Sequence, residues 1–230
     1  MNGRRILVVD DEPEIQRFLR LALAAAGYEP ISAETAAEAL RAIVSKAPDA
    51  VVLDLGLPDR DGKDVLRDIR AFSQIPVVVL SARDRETEKI AALDLGADDY
   101  VEKPFGIGEF MARLRTALRH AAPGAPRATK FDIDGLIVDT ERRLVSRDGV
   151  SVKLTPKEYD LLVALVRHTG RVVTHRQILN EVWGPAHADD TQYLRVFIGQ
   201  LRVKIERDAG APTIILTEPG VGYRIVENGK

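Results

Sequence analysis

Residues 51–59, Val-Val-Leu-Asp-Leu-Gly-Leu-Pro-Asp, decide the fold class of this chain. The β-branched apolar run reads as a strand buried on both faces. It ends in a single carboxylate, Asp54, and breaks at Gly56 and Pro58. An acid set where a core strand opens onto solvent calls for a reason, and the neighbouring segments supply one.

Working outward, short apolar runs of the same kind stand at 6–10 (ILVVD) and 76–82 (PVVVLSA). YEPISA (28–33) and DDYVEK (98–103) supply two further candidate strands. Helical patterns lie between them. In EIQRFLRLALAAAG, Ile15, Phe18, Leu19 and Ala22 share one face, and Gly27 is a stop signal. Strand–helix alternation predicts an α/β fold, a doubly wound parallel sheet covered by helices on both sides. Ligands of such sheets collect at the carboxyl ends of the strands.

The chain has 230 residues, enough for two ordinary domains. No apolar run approaches the roughly 20 residues of a membrane span, so no membrane role is expected. Two aspartates interrupt the opening apolar stretch, which argues against a signal peptide. The absence of cysteine excludes disulfides and thiolate metal sites, and the cytosol is the expected compartment. Residues 1–121 carry 17 Lys and Arg against 21 Asp and Glu, a net −4, whereas residues 122–230 carry 16 against 14, a net +2. A mildly basic second half suits a polyanion partner, though the difference alone is small.

HAAPGAPRATK (120–130) has no apolar periodicity and reads as a linker. The expected division is a first domain at 1–121, a linker at 122–130 and a second domain at 131–230. The second half opens with short alternating segments broken by Asp-Gly, the signature of antiparallel hairpins. Three helical segments follow near 156–168, 175–183 and 189–207. TIILTEPGVGYRIV then reads as a closing hairpin, with Pro219-Gly220 at the corners of a type II turn.

Asp10 and Asp11 end the first strand, Asp54 the third, Ser81 the fourth and Lys103 the fifth. In a doubly wound sheet these ends meet at one edge. Taken singly, each acid reads as a solvated loop residue; all of them together predict a pocket of three carboxylates, a hydroxyl and an ammonium. Crowded carboxylates resist ionisation without a cation, and a hard divalent ion such as Mg²⁺ suits an all-oxygen, partly hydrated site. No histidine lies near these strands to act as a base. An aspartate can itself attack a phosphoryl group, with Mg²⁺ and a lysine neutralising the equatorial oxygens and a hydroxyl binding one of them.

Asp10-Asp11, Asp54 with Leu57-Pro58, Ser81-Ala82 and the run GADDYVEKPF at 96–105 together resemble a response-regulator receiver domain over about residues 3–121. The resemblance implies a flavodoxin-like five-stranded receiver in which Asp54 takes a phosphoryl group from a sensor histidine kinase, assisted by Ser81 and Lys103. It implies that Asp11, Asp54 and the Gly56 carbonyl bind Mg²⁺, with Asp10 joining through water. Ser81 and Tyr100 match the family's switch pair, and the Lys103–Pro104 bond is usually cis in that family. Lys89, Asp94, Asp99, Glu109, Arg113 and Arg115 match positions by which the OmpR/PhoB subfamily forms symmetric receiver dimers on phosphorylation. The implied cross-subunit pairs are Lys89–Glu109, Asp94–Arg115 and Asp99–Arg113, set around an apolar centre near Ile90 and Leu93.

In DDTQYLRVFIGQLRVKIER, Leu194, Ile198, Leu201 and Ile205 form one helix face, while Gln192, Arg195, Arg202 and Lys204 lie off it. With Leu154-Thr155-Pro156-Lys157-Glu158, Arg176-Gln177-Ile178-Leu179 and Gly220-Val221-Gly222-Tyr223-Arg224, this second half resembles the α+β winged helix-turn-helix effector domain of the same subfamily over roughly 128–227. The resemblance implies a helix in the major groove of double-stranded DNA, a wing at the minor groove and contact with the transcription machinery. Gly199, Gln200 and Pro219 stand where many relatives carry Arg, which leaves Gln192, Arg195, Arg202, Lys204 and Arg224 as the DNA candidates. Together with DLGLPD and KPFGIGE, these features look most like the potassium-transport regulators of the Kdp type. The expected function is a phosphorylation-activated transcription regulator, not an enzyme. The rival is a magnesium-dependent aspartyl-phosphate phosphotransferase or phosphatase, which a second acid two residues after Asp54 would favour; position 56 is Gly.

Overall fold

The computed structural model describes residues 3–82, 86–120 and 129–227, with the side chains of Ala82 and His120 left aside. The chain divides into two compact units, Met1–Pro123 and Gly124–Lys230. Most of the expected linker, 121–128, lies outside the described residues.

The first unit alternates β1 (Arg5–Val9), α1 (Pro13–Ala25), β2 (Glu29–Ala33), α2 (Ala36–Lys46), β3 (Ala50–Asp54), α3 (Gly62–Phe72), β4 (Val77–Ala82), α4 (Glu86–Asp94), β5 (Asp99–Lys103) and α5 (Ile107–His120). The five strands form one parallel sheet in the order β2-β1-β3-β4-β5. Every residue of β3 is buried, as its unbroken apolar run requires. Ile6, Val8, Val52, Val78, Leu80 and Val101 pack on one side with Leu19 and Leu23 of α1 and Phe110 and Leu114 of α5. Strand alternation turns Leu7, Val9, Val51, Leu53 and Val79, all fully buried, to the other side. Each such side chain contributes about 1.5–3 kcal/mol on burial.

One expected face is shifted. The buried residues of α1 are Gln16, Leu19 and Leu23, while Phe18 is exposed, its ring tilted toward that of Phe105 with 6.3 Å between centroids. Gln16 takes the inward place because its amide reaches the carbonyls of Val8, Asp10 and Ala33 at 3.2, 3.0 and 2.7 Å. Polar backbone at the strand ends outbids an aromatic ring there. Gly27, at φ +82°, lets the chain leave α1.

The second unit begins with an antiparallel sheet of β6 (Lys130–Ile133), β7 (Leu136–Asp139), β8 (Leu144–Arg147) and β9 (Val150–Ser151). Both Asp-Gly pairs turn the chain with positive φ: 48° and 82° at Asp134-Gly135, and the same at Asp148-Gly149. Then come α6 (Pro156–Val166), β10 (Val172–Thr174), α7 (His175–Trp183) and α8 (Thr191–Ile205), and the hairpin of β11 (Ile215–Glu218) and β12 (Gly222–Ile225). Thr155 with Glu158 and Thr174 with Gln177 form capping boxes that start α6 and α7. The turn at Glu218–Val221 closes by a 3.0 Å bond with φ +72° at Gly220, the geometry of a type II turn. The hairpin pairs with β10 in the order β10-β12-β11. At three residues, β10 is too short to show a period in the sequence.

Candidate functional site

In the first unit, β3 delivers Asp54 to the carboxyl edge of the sheet with 8 % of its surface exposed. Its Oδ2 accepts from the Gly56 N–H at 2.9 Å. The loop that follows is pinned on both sides. Asp59 accepts from the Ala36 and Ala37 N–H groups at the start of α2, at 2.9 and 3.2 Å, and those bonds, the Ala36 one foremost, hold its carboxyl below the usual range. Asp61 caps α3 through the Lys63 N–H at 2.8 Å.

Lys103 arrives from β5. Its ammonium Nζ lies 3.0 Å from Asp54 Oδ1, 2.9 Å from Asp10 Oδ2 and 2.9 Å from Glu12 Oε1. An ammonium has three protons, and each has a carboxylate. Burial works against the lysine's charge, but its bonds to Glu12 and Asp10 and the Asp54 charge raise its pKa well above the ordinary value. Asp10 is fully buried, and burial outweighs its bonds to Lys103 and the Glu12 N–H, so its carboxyl titrates above the usual range. Asp11 is exposed beside it. Ser81 is buried on β4, one residue beyond Leu80, the cross-strand neighbour of Asp54. The Lys103–Pro104 bond is cis. Glu12 had no role assigned from the sequence, although its place directly after the acid pair was the available signal.

Among the described residues, no three carboxylates or imidazoles converge closely enough to form a complete metal cage. The donor set nonetheless suits a hard, partly hydrated ion: it is all oxygen, and Asp10 and Asp54 already share one cation.

Tyr100 of β5 is 4 % exposed and carries two cations over its ring, Lys89 Nζ at 5.5 Å and the Arg113 guanidinium at 5.6 Å. Each cation is held in turn within the chain. Lys89 reaches Glu102 Oε1 at 2.5 Å, and Arg113 grips Asp99 at 3.0 and 3.1 Å and Glu109 at 2.8 Å. Burial opposes the charge on Arg113, but the Asp99 and Glu109 carboxylates more than offset it and push the pKa up.

In the second unit, Leu194, Ile198, Leu201 and Ile205 of α8 are buried in the core as their spacing requires. Gln192 and Arg195 are exposed on the same helix. The other candidates are committed internally. Lys204 Nζ lies 2.6 Å from Glu158, and Arg224 binds Glu218 and the Gly170 carbonyl, both at 2.8 Å. Arg202 is half-buried and bonded to β11, which corrects its expected place on the exposed face. Sequence spacing put these cations off the apolar stripe but carried no information on acceptors within their reach.

Two family models match the chain, the response regulator receiver domain over residues 6–115 and the transcriptional regulatory protein C-terminal domain over 149–225. The KDP operon transcriptional regulatory protein KdpE of Escherichia coli is 49% identical over 223 residues, covering 96% of this chain and 98% of its own. The chain belongs to the two-component response regulators of the OmpR/PhoB type. The KdpE protein of Mycobacterium tuberculosis is 50% identical over 220 residues, covering 95% of this chain and 97% of its own. Among solved structures, the Thermotoga maritima OmpR/PhoB homologue DrrB matches with a TM-score of 0.51 at 28% identity, covering 98% of this chain and all of that one. The first unit is therefore a receiver, the second a winged-helix DNA-binding domain, and the regulator acts on transcription in dependence on phosphorylation. No described helix is long and apolar enough to cross a membrane.

In this response regulator the dimer positions divide. Asp94, Glu109 and Arg115 are exposed and Ile90 is half-buried. Leu93 is 1 % exposed and belongs to the core, so it cannot serve as a free apolar centre as the receiver stands. Lys89 is buried, and the Asp99–Arg113 pair expected across subunits is closed within one chain, with Asp99 fully buried.

Proposed function

We propose that Asp54 is the phosphoryl acceptor and that the donor is a phosphohistidine on a sensor histidine kinase. The observation that carries this is the Lys103 ammonium, 3.0 Å from Asp54 Oδ1 at the open edge of the sheet. An Asp54 carboxylate oxygen attacks phosphorus; the O–P bond forms as the P–N bond to the donor imidazole breaks, and the acyl phosphate remains on Asp54. Asp10, Asp11, Asp54 and the Gly56 carbonyl are the groups that would hold Mg²⁺. When bound, that ion neutralises charge on the transferring phosphoryl oxygens. Lys103 turns one N–H from a carboxylate to a phosphoryl oxygen, and the Ser81 hydroxyl donates to another. Inward Ser81 and Tyr100 then favour a symmetric dimer through α4, β5 and α5.

The phosphorylated dimer binds double-stranded DNA with α8 and the β11–β12 wing and engages the transcription machinery. Of the basic candidates, Arg195 is the one on α8 best placed to reach DNA, since it is exposed and Arg202, Lys204 and Arg224 are tied internally. The near-half identity to KdpE proteins supports potassium-transport genes as targets, and the cytoplasm as the working compartment.

Labelling with acetyl phosphate in Mg²⁺, read by intact mass, tests the acceptor. The native chain should gain one phosphoryl group and Asp54→Ala none; undiminished labelling of the variant would refute the assignment. Footprinting upstream of the potassium-transport genes, with and without phosphorylation, tests the target.

A further inference from the structure

In the winged-helix unit, β11 is an edge strand. The outward backbone groups of an edge strand are unpaired unless something covers them. Here those of Ile215 are claimed by two side chains of the recognition helix region, one helical turn apart. Arg202 donates from Nη2 and Nε to the Ile215 carbonyl at 2.6 and 3.2 Å, and from Nη2 to Thr217 Oγ1 at 2.9 Å. Its guanidinium also lies 5.9 Å from the Tyr223 ring of β12. Glu206, 9 % exposed at the end of α8, accepts from the Ile215, Ile214 and Thr213 N–H groups at 2.8, 3.0 and 3.0 Å. Ile215 thus gives its N–H to Glu206 and its carbonyl to Arg202.

We infer that Arg202 and Glu206 are positioning residues that lock the wing onto the recognition helix, and that Arg202 is not a DNA contact. The inference rests on the proposed DNA reading of α8 and the wing. A helix in one groove and a hairpin in the next bind together only if their separation is preset, because ordering a loose wing on binding lowers affinity. Charge-assisted bonds to backbone groups are among the stronger ways to preset it. Three of Arg202's five N–H donors, on Nε and Nη2, are aimed at β11, so turning the guanidinium toward a phosphate would release the wing.

The full phosphorylated chain is titrated against a duplex that the native protein has enriched from a random-sequence pool, at several salt concentrations. In parallel, amide exchange of the free chain is followed across 213–225. Arg202→Met should lose about tenfold in affinity, keep the native salt slope, and exchange faster in the wing. Arg202→Lys should restore little, since an ammonium cannot span both acceptors. Arg195→Ala should make the log–log salt slope shallower by about one and leave wing exchange native. Native wing exchange in Arg202→Met, or a loss with the slope shallower by about one, would overturn the inference. Should that variant fail to fold, Glu206→Gln, which keeps size and drops the charge, carries the same comparison. The exchange experiment uses no DNA, so failure of the native chain to enrich any duplex would overturn the DNA reading while the bracket is still decided.

Discussion

Gly62→Ala isolates how tightly the acceptor loop is built. Gly62 opens α3, and its N–H reaches back to the Leu55 carbonyl at 3.0 Å. A Cβ at this position would lie 2.5 Å from the Asp54 carbonyl oxygen and 2.6 Å from the Leu55 Cα. Both are backbone atoms in the segment that carries the acceptor, so no side chain can swing aside. Overpacking of this kind costs about 1–3 kcal/mol. With a urea slope of roughly 2 kcal/mol/M for a domain of this size, the receiver midpoint should fall by about 0.5–1.5 M. The one tryptophan, Trp183, is in the effector unit, so receiver unfolding is best followed by amide exchange of β1, β3 and β4 against urea. Acetyl-phosphate labelling should slow as well, because the displaced backbone is that of Asp54 and Leu55. Gly108→Ala, where a Cβ meets nothing within 4 Å inside α5, is the control and should stabilise by up to about 1 kcal/mol. If Gly62→Ala kept both the native midpoint and the native labelling rate, the close packing of α3 on the acceptor loop would be wrong.

Glu158 is held below the ordinary carboxylate range, because Lys204 and the Thr155 N–H outweigh its desolvation. A depressed carboxylate stabilises the fold above its unfolded pKa and loses that contribution as pH falls through the folded one. The effector midpoint, followed by Trp183 fluorescence, should therefore drop on acidification below the usual carboxylate range, and Glu158→Gln should flatten that drop; equal slopes would refute the assignment. Glu102→Gln weakens one of the ties that hold Lys89 within the chain, so on the proposed dimer reading it should tighten the phosphate-dependent dimer by about 1.5–5-fold in light scattering. A weaker or unchanged dimer would count against that exchange.

The elements that were legible in the sequence are those in which one physical signal dominates. Strands β1, β3 and β4 of the receiver are built on continuous apolar runs, and both Asp-Gly pairs adopt the positive φ values that their chemistry favours. The stripe Leu194, Ile198, Leu201 and Ile205 is buried residue for residue. The meeting of Asp10, Asp54 and Lys103 followed from topology, because parallel strands bring their carboxyl ends to one edge. What escaped depended on acceptors distant in sequence. Phe18 and Gln16 traded places because of carbonyls on β1 and β2. Arg202 and Lys204 read from the sequence as DNA-contact candidates, but the fold brings Ile215, 13 residues on, and Glu158, 46 residues back, within their reach. A charge's position on a helical wheel says which way it leaves the helix and nothing about what it meets.

The same limit bears on how the two ends of the receiver communicate. Lys103 faces the acid pocket, and its neighbour Glu102, on the opposite side of the strand, holds Lys89 of α4. Ser81 pairs in register with Glu102, and Tyr100 lies between the cations of α4 and α5. One short strand, β5, therefore touches the acceptor through one side chain and the expected dimer surface through the next. On the proposed reading, dimerisation exchanges ion pairs already made within the chain for pairs made across subunits. Such an exchange leaves the number of paired charges nearly constant, so the cost of opening the partly buried intrachain pairs is offset by the pairs formed across subunits. The balance between the two arrangements is then small enough for one phosphoryl group, through its differential contacts with Lys103 and Ser81, to tip it.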